Sequence, residues 1–381
     1  MEIKKDTWQL LDNLKPFIRE AWERHKFSKP TPIQFKSIPQ ILEGKDVIAH
    51  SPIGTGKTLA YLIPLLEKID PLNKNVQGLI LVPSHELAMQ IYGVIKEWTE
   101  KTQIVSTPLI GGANINKQIE KLKEKPHLVV GTVGRIIELI NLKKLKTHGI
   151  KTIVLDEFDA LMAAEHINKI QTIIKATLRD RQILCFSATL PKEVKELAFS
   201  ITNDPKLIEI HKEEKDNNTQ HFYIEVEARK KVDLLSKILK NEKMKVLCFV
   251  NNHHKLLELE AKLIFKGHVF KTLSSNTGKR ERVEAIQSFK KGIVMTLLAT
   301  EVSARGLDIP GITHVINYDI PFDEKGYIHR TGRCGRMGAK GTVISLVTKN
   351  EALQLKRICR KIKGISLKEK VLSYGKLVDP Q

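Results

Sequence analysis

Val47-Ile48-Ala49-His50-Ser51-Pro52-Ile53-Gly54-Thr55-Gly56-Lys57-Thr58 begins as a short apolar run and breaks into a glycine-containing turn. It continues as Leu59-Ala60-Tyr61-Leu62-Ile63, which carries a helical pattern. A buried parallel strand, a turn and a helix opening on Gly-Lys-Thr form the layout of a phosphate-binding loop. Backbone N–H groups of the turn and the positive end of the helix can surround a polyphosphate. Lys57 then neutralises the β/γ-phosphates and the Thr58 hydroxyl holds Mg2+. A glycine-rich turn followed by a solvated lysine is the alternative. Ser51 stands where the general pattern has a leading glycine, so the loop needs other support.

After this loop, apolar runs recur and most lead directly into polar or small residues. Leu79-Ile80-Leu81-Val82 meets Pro83-Ser84-His85-Glu86, and Leu128-Val129-Val130 meets Gly131-Thr132-Val133-Gly134-Arg135. Ile153-Val154-Leu155 meets Asp156-Glu157-Phe158-Asp159, and Ile183-Leu184-Cys185-Phe186 meets Ser187-Ala188-Thr189. Helical segments separate these runs, which predicts strand/helix alternation around a mostly parallel sheet. Ligands of such sheets bind beyond the carboxyl ends of the strands, where all of these polar clusters fall. Asp156 is placed to hold the metal, and Glu157 to orient or deprotonate an attacking water. Read without the phosphate loop, the pair would be strand-end carboxylates capping a helix.

Upstream, residues 8–25 carry apolar side chains at helical spacing, interrupted by Pro16. Phe27-Ser28-Lys29-Pro30-Thr31-Pro32-Ile33-Gln34 then forces an extended approach to a helix starting near Ile33. The Gln34 amide offers a donor and an acceptor, which suits the N6/N7 edge of adenine.

The second half repeats the alternation with no second phosphate loop. Its strands are expected at 246–250, 269–273, 294–298, 314–317 and 343–347. Polar groups again follow them: Asn251-Asn252, then residues 299–308, then His329-Arg330-Thr331-Gly332-Arg333-Cys334-Gly335-Arg336. Arg333 and Arg336 suit phosphate oxygens, which guanidinium groups bind bidentately. Residues 353–376 are basic, with Leu355, Ile358 and Ile362 at helical spacing, and read as a docked amphipathic helix plus a short tail.

Bulk properties set the limits. A chain of 381 residues exceeds what one core usually supports, so two domains are expected. Its 63 basic and 43 acidic residues give a formal charge of +20, which favours a polyanionic partner. No apolar stretch is long enough for a membrane span, and the N-terminal residues lack a secretory apolar block. Cys185, Cys248, Cys334 and Cys359 are far apart, so neither a zinc site nor a disulfide framework is indicated, and a cytoplasmic location fits best.

Taken in this order, the segments resemble the DEAD-box family of ATP-dependent RNA helicases in superfamily 2, and most of all its compact bacterial members. Residues 27–34 look like the Q motif, with Trp8 as the upstream aromatic. Residues 51–58 look like motif I, 83–88 like motif Ia, Gly111-Gly112 like the GG motif and 132–135 like motif Ib. Asp156 to Asp159 stands where the family name is written, and Ser187-Ala188-Thr189 is an intact motif III. Asn251 is near motif IV, Arg282 fits motif IVa, residues 299–308 are motif V and 329–336 motif VI.

The resemblance implies two tandem RecA-like domains, each a mostly parallel α/β sheet flanked by helices. The expected boundaries are 1–211, a linker at 212–219, 220–364, and a short basic tail at 365–381. ATP would lie between the domains with Mg2+ on Thr58 and Asp156, held by Trp8, Phe27, Gln34, Ser51, Gly54, Thr55, Gly56, Lys57 and, through its ribose, Asp308. Lys57, Asp156 and Glu157 would be catalytic, with Arg333 and Arg336 as arginine fingers. RNA would meet Pro83, His85, Glu86, Gly111, Gly112, Thr132, Gly134, Arg135, Asn251, Arg282 and Thr300. Asp159, Ser187, Thr189, Glu301, Arg305, His329 and Arg330 would couple the domains.

The implied activity is local unwinding of short RNA duplexes by a cytoplasmic monomer, with ribosomal RNA or pre-ribosomal particles as partners and a role in ribosome assembly or growth in the cold. Several positions depart from the family pattern. Phe158 replaces a small alanine and adds bulk beside the carboxylates, Ile53 replaces a threonine, His85 an arginine, Val133 a proline, and Glu301 an aspartate. Ser274-Ser275 replaces His-Gly, and Lys279 a glutamine. These departures keep two rivals open, an RNA clamp or assembly factor with little unwinding and a DNA helicase of related architecture.

Overall fold

The computed structural model describes residues 9–52, 54–162, 164–210, 219–241, 243–274, 276–304, 309–335, 339–362, 364–373 and 375–380. The chain divides into two compact units, Met1–His211 and Lys212–Gln381.

In the first unit seven strands form one parallel sheet: β1 (Val47–His50), β2 (Gly78–Val82), β3 (Ser106–Leu109), β4 (Leu128–Thr132), β5 (Thr152–Asp156), β6 (Gln182–Ser187) and β7 (Lys206–Glu209). Their spatial order is β3-β4-β2-β5-β6-β1-β7. Successive side chains point to opposite faces, and helices cover both faces. Val47, Ala49, Ile80, Val82 and Val154 enter one apolar cluster. Ile48, Leu79, Leu81, Ile153 and Leu155 enter the other. That is why these strands read as continuous apolar runs.

The second unit holds β8 (Thr219–Glu225), β9 (Val246–Val250), β10 (Lys271–Leu273), β11 (Thr296–Thr300), β12 (His314–Asn317), β13 (Gly341–Val347) and β14 (Leu367–Glu369). Their order, β10-β11-β9-β12-β13-β8-β14, reproduces that of the first sheet strand for strand. Leu247 and Phe249 pack on one face, and Val246, Cys248 and Val250 on the other. The four cysteines are free and buried.

The strands that the sequence does not announce are mostly at the margins. Edge strand β3 carries Pro108, tolerated there because an edge strand need not donate every N–H. Strand β7 buries only Ile208, while β8 alternates and pairs with β13 and β14. The segment expected as a short basic tail, 365–381, is built into the unit instead: Leu367–Glu369 supplies the seventh strand, and Val371–Ser373 pairs with Lys376–Val378 as a hairpin. Strand β10 is shorter than expected, because Val269 is 77% exposed and pairs with nothing there. Pro16 starts the helix Pro16–Arg24 rather than merely interrupting one, since its fixed φ and missing N–H suit a first turn. The expected linker, 212–219, lies outside the described residues except Thr219, which opens β8. No helix among the described residues is long and apolar enough to cross a membrane.

Candidate functional site

The phosphate loop leaves the end of β1 as the sequence predicts. Gly54 and Gly56 take φ of +79° and +89°, backbone that side-chain-bearing residues rarely adopt. At Gly56 space is also closed, since a Cβ would lie 2.5 Å from the Gln34 amide nitrogen. The support that Ser51 requires comes from hydrogen bonds. Its N–H donates to the Ser187 carbonyl at 3.0 Å, and its hydroxyl lies 2.6 Å from the Thr55 hydroxyl, which donates to the Pro52 carbonyl at 2.8 Å. Lys57 opens the helix Lys57–Lys68 and turns its ammonium into the loop, onto the carbonyls of Ser51 at 2.6 Å and Pro52 at 3.0 Å. Ile53 lies outside the described residues.

Next to β1 on one side is β6, and beyond it β5, whose end brings Asp156 and Glu157 to the same edge. Glu157 sits in left-handed backbone, φ 50° and ψ 49°, at the turn into the helix Phe158–Leu161. Such strained backbone concentrates at functional sites. Asp156 accepts from the Glu157 N–H at 2.9 Å and from the Tyr61 hydroxyl at 2.9 Å. Burial and the neighbouring Glu157 carboxylate push its carboxyl up from 3.8 to about 6, against the opposing pull of Lys57 and Tyr61. Burial and the Asp156 carboxylate raise the pKa of the Tyr61 hydroxyl well above 10.0, and the nearby Thr58 hydroxyl opposes that rise.

Tyr61 is a site residue that sequence reading missed. The available signal was its position three residues after Thr58 in an otherwise apolar helix, which puts both on one face. The oxygens of Thr58 and Asp156 thus converge on Tyr61, and Glu157 Oε2 is buried with no hydrogen-bond partner among the described residues. A set of oxygen donors with uncompensated carboxylate charge fits a hard divalent cation and its water shell. Phe158 does not crowd these carboxylates as expected. It is fully buried and points away, into the apolar cluster that also holds Val133, Ile136 and Ile170. The two departures Phe158 and Val133 therefore belong to one core.

Gln34 occupies the third position of the helix Pro32–Leu42 and is almost fully buried. Its carbonyl accepts from the Thr31 N–H at 2.9 Å and its amide donates to the Gly56 carbonyl at 3.1 Å. One donor and one acceptor of the amide remain, the pair an adenine edge requires. The Phe27 ring is stacked on His25 at 5.4 Å and meets Trp22 edge-on at 5.0 Å. Trp8 lies outside the described residues.

Around β2, β3 and β4 the other motifs meet. His85 is exposed, and its ring lies against Gly111 and Gly112. The Gly111 N–H donates to the Thr132 hydroxyl at 3.3 Å. Pro83 follows β2, Glu86 is in the first turn of the helix His85–Trp98, and Gly134 in that of Val133–Asn141. Arg135 is buried and committed: it donates to the Ala113 carbonyl at 3.1 Å and to Glu138 at 2.9 Å. It braces the glycine turn. Ser187, Thr189 and Asp159 bond one another, the Ser187 hydroxyl donating to the Thr189 carbonyl at 2.6 Å and the Thr189 hydroxyl donating to the Asp159 carboxylate.

In the second unit Arg330 is a buried hub, 1% exposed. It donates to Glu301 at 3.0 Å, to the Asp319 carbonyl at 2.8 Å and to the Asn251 side-chain oxygen at 2.8 Å. The Asn251 amide nitrogen donates to the Ile320 carbonyl at 3.0 Å. Arg330 and Asn251, expected at a coupling surface and at RNA, thus spend these groups inside the unit. Arg282 donates to the Ser303 carbonyl at 2.6 Å, and Thr300 lies 2.8 Å from the Ser303 hydroxyl. Arg333 is buried and donates to the His329 carbonyl at 3.3 Å. Arg305, Asp308 and Arg336 lie outside the described residues.

The chain is similar to known proteins over nearly all of its length. The DEAD/DEAH box helicase family profile matches residues 31–197, and the helicase conserved C-terminal domain profile matches 230–338. The chain is 47% identical to the probable ATP-dependent RNA helicase YfmL of Bacillus subtilis, covering 97% of this chain and 98% of that protein. It is 43% identical to the DEAD-box ATP-dependent RNA helicase CshC of Bacillus cereus, over 97% and 95% of the two chains. Among solved structures it is similar to S. cerevisiae Dbp5 bound to RNA and ADP BeF3, at 30% identity and a TM-score of 0.87, covering 95% of each chain. Mss116p bound to ssRNA and AMP-PNP is another match, at 26% identity and a TM-score of 0.85 over 98% of this chain and 80% of that one. Two parallel sheets of matching topology, a phosphate loop joined to paired carboxylates and full-length relatives together establish that the chain belongs to the DEAD-box family of ATP-dependent RNA helicases.

Proposed function

We propose that the chain uses ATP and Mg2+ to bind RNA and separate short duplexes locally. The observation that carries this reading is the convergence of Lys57, Thr58, Tyr61, Asp156 and Glu157 at the carboxyl edge of the first sheet. Lys57 leaves its loop carbonyls for the β/γ-phosphates. Bound Mg2+ supplies charge neutralisation at those phosphates, with Thr58 and Asp156 as its holders. Glu157 orients the attacking water and accepts its proton. Gln34 reads adenine, Asp308 the ribose, and Trp8 and Phe27 flank the base. Arg333 and Arg336 act as fingers from the second half, so turnover depends on closure of domains 1–211 and 220–364. Fingers of this kind contribute ~10³ or more in rate.

RNA is proposed to run over Pro83, His85, Gly111, Gly112, Thr132 and Gly134, with sugar-phosphate contacts and 2′-hydroxyls selecting RNA over DNA. The RNA-bound states of Dbp5 and Mss116p support this. Ribosomal RNA or pre-ribosomal particles are the proposed partners, and the chain works as a cytoplasmic monomer, in ribosome assembly or growth in the cold. A nucleotide-dependent clamp with little unwinding is the second reading, favoured by Arg135 and Asn251 spending polar groups internally.

The test is steady-state ATP turnover with and without structured RNA, with matched DNA as control, alongside strand separation. RNA-specific stimulation is expected, falling ~10²-fold or more in Glu157→Gln and ~10³-fold in Arg333→Ala. Turnover unchanged by Glu157→Gln would refute the site. RNA affinity that depends on nucleotide without strand separation would select the clamp.

A further inference from the structure

The phosphate loop occupies one end of the helix Lys57–Lys68, and a second group of cations occupies the other. Where the strands of the first sheet begin, Lys68, Lys151, Asp180 and Arg181 line a cavity of about 330 Å3 whose floor includes Leu65 and Ile69. The 12 residues from Lys57 to Lys68 place it roughly 16 Å along the helix from the loop.

Among the described residues Lys68 forms no ion pair, while Arg181 feels the Asp46 carboxylate without a hydrogen bond to it. Lys68 is solvent-exposed as a residue, yet its ammonium turns inward to the Ile41 carbonyl and, at 2.9 Å, to the Gln182 side-chain oxygen. Both acceptors are neutral, and a cation withdrawn from water without an anion is unfavourable. Arg181 donates through Nη1 to the Leu178 carbonyl at 2.7 Å, while its Nε is buried with no hydrogen-bond partner among the described residues. The third cation, Lys151, pairs with Asp180 where both are exposed, a pair too weak to hold it against a better partner. The carboxylate of Asp46, which feels Arg181, is already engaged by the N–H groups of Ile183 and Asn203, each at 2.7 Å.

We propose that this cavity is a second anion site, separate from the phosphate loop, for a small compound bearing a phosphate, diphosphate or carboxylate group. Its volume is at the low end for small-molecule pockets. That suits an inorganic diphosphate or a compact organic acid better than a nucleotide. An entering oxyanion accepts from Arg181 Nε, gives Lys68 a counter-charge and competes with Asp180 for Lys151.

Titration calorimetry on the full chain tests this, using Lys57→Ala protein so that the phosphate loop no longer contributes its cation. Inorganic phosphate, diphosphate and citrate are the probes, at constant ionic strength. Saturable binding at one site per chain is expected, weakened at least tenfold by Arg181→Gln and by Lys68→Gln. Arg181→Gln alters the cavity's rim and keeps the test valid should Lys68→Gln fold poorly. Preference for diphosphate assigns phosphate chemistry, and preference for citrate assigns carboxylate chemistry. No saturation, or binding that Arg181→Gln leaves intact, overturns the proposal. Displacement of bound diphosphate by a short RNA also overturns it, reassigning the cavity to nucleic acid.

Discussion

Replacing Asp156 by Asn should stabilise the nucleotide-free protein while abolishing turnover. The folded state holds the Asp156 carboxyl at about 6 against an ordinary 3.8. Because the folded value is raised, the folded chain binds the proton more tightly, so the group's favourable contribution is complete below about pH 4 and is lost as pH rises through about 6. A carboxyl raised this far costs the fold about 3 kcal/mol at pH 8 and roughly half of that at pH 5. Asn removes that cost but keeps one oxygen for two donors, Tyr61 and the Glu157 N–H, and a lost hydrogen bond costs about 1 kcal/mol. The net gain is then about 2 kcal/mol at pH 8 and close to nothing at pH 5. For a unit of this size the pH 8 gain raises Tm by roughly 4–8 °C. The assay is thermal and urea unfolding of both proteins from pH 5 to 8 in chelator, so that no cation compensates the carboxylates. A difference in stability that does not grow with pH, or Asp156→Asn protein less stable at pH 8, would refute the reasoning.

Phe158→Ala should destabilise the first unit by about 3–5 kcal/mol, the cost of emptying a fully buried aromatic site, measured by urea unfolding; faster ATP turnover at unchanged stability would restore the view that Phe158 crowds the carboxylates. Arg330→Lys should cost the second unit about 3–5 kcal/mol, since an ammonium cannot reach Glu301, Asn251 and the Asp319 carbonyl together. Hydrogen exchange that accelerates around β9 and β12 is the expected signature, and exchange unchanged there would show that the network is not what holds these strands.

The sequence displays its sheet where both faces of a strand are buried. Strands β2 and β9, and the central residues of β5, have no solvent-facing side and so read as unbroken apolar runs. The margins carry no such signal: β7 buries a single side chain, and β14 exposes Lys368 and Glu369. A strand of three residues, two of them charged and exposed, looks like a tail until a partner is known. Its partner, β8, is itself obscured by alternation, with Gln220 exposed and His221 buried. The residues themselves do not repeat between the two units; the repeat is expected only through the family resemblance, and it resides in the strand pairings.

The site divides along a similar line. Phosphate-loop and carboxylate positions were legible because their chemistry demands particular residue types at fixed spacing, and the sheet delivers them to one edge whatever surrounds them. Polar side chains whose work is internal gave no such sign. Arg135 and Arg330 fall within motifs that the family resemblance assigns to RNA and to coupling, but a guanidinium has five donors, and burial demands that they be met locally. Ala113, Glu138, Glu301, Asn251 and Asp319 meet them. The converse holds for Tyr61, which sits in an apolar helix and reads as core until β5 brings the Asp156 carboxylate to its hydroxyl. Motif membership therefore identifies which residues matter at a site. Whether a side chain touches ligand or braces one that does depends on which hydrogen-bonding groups remain unspent, and that accounting requires the fold.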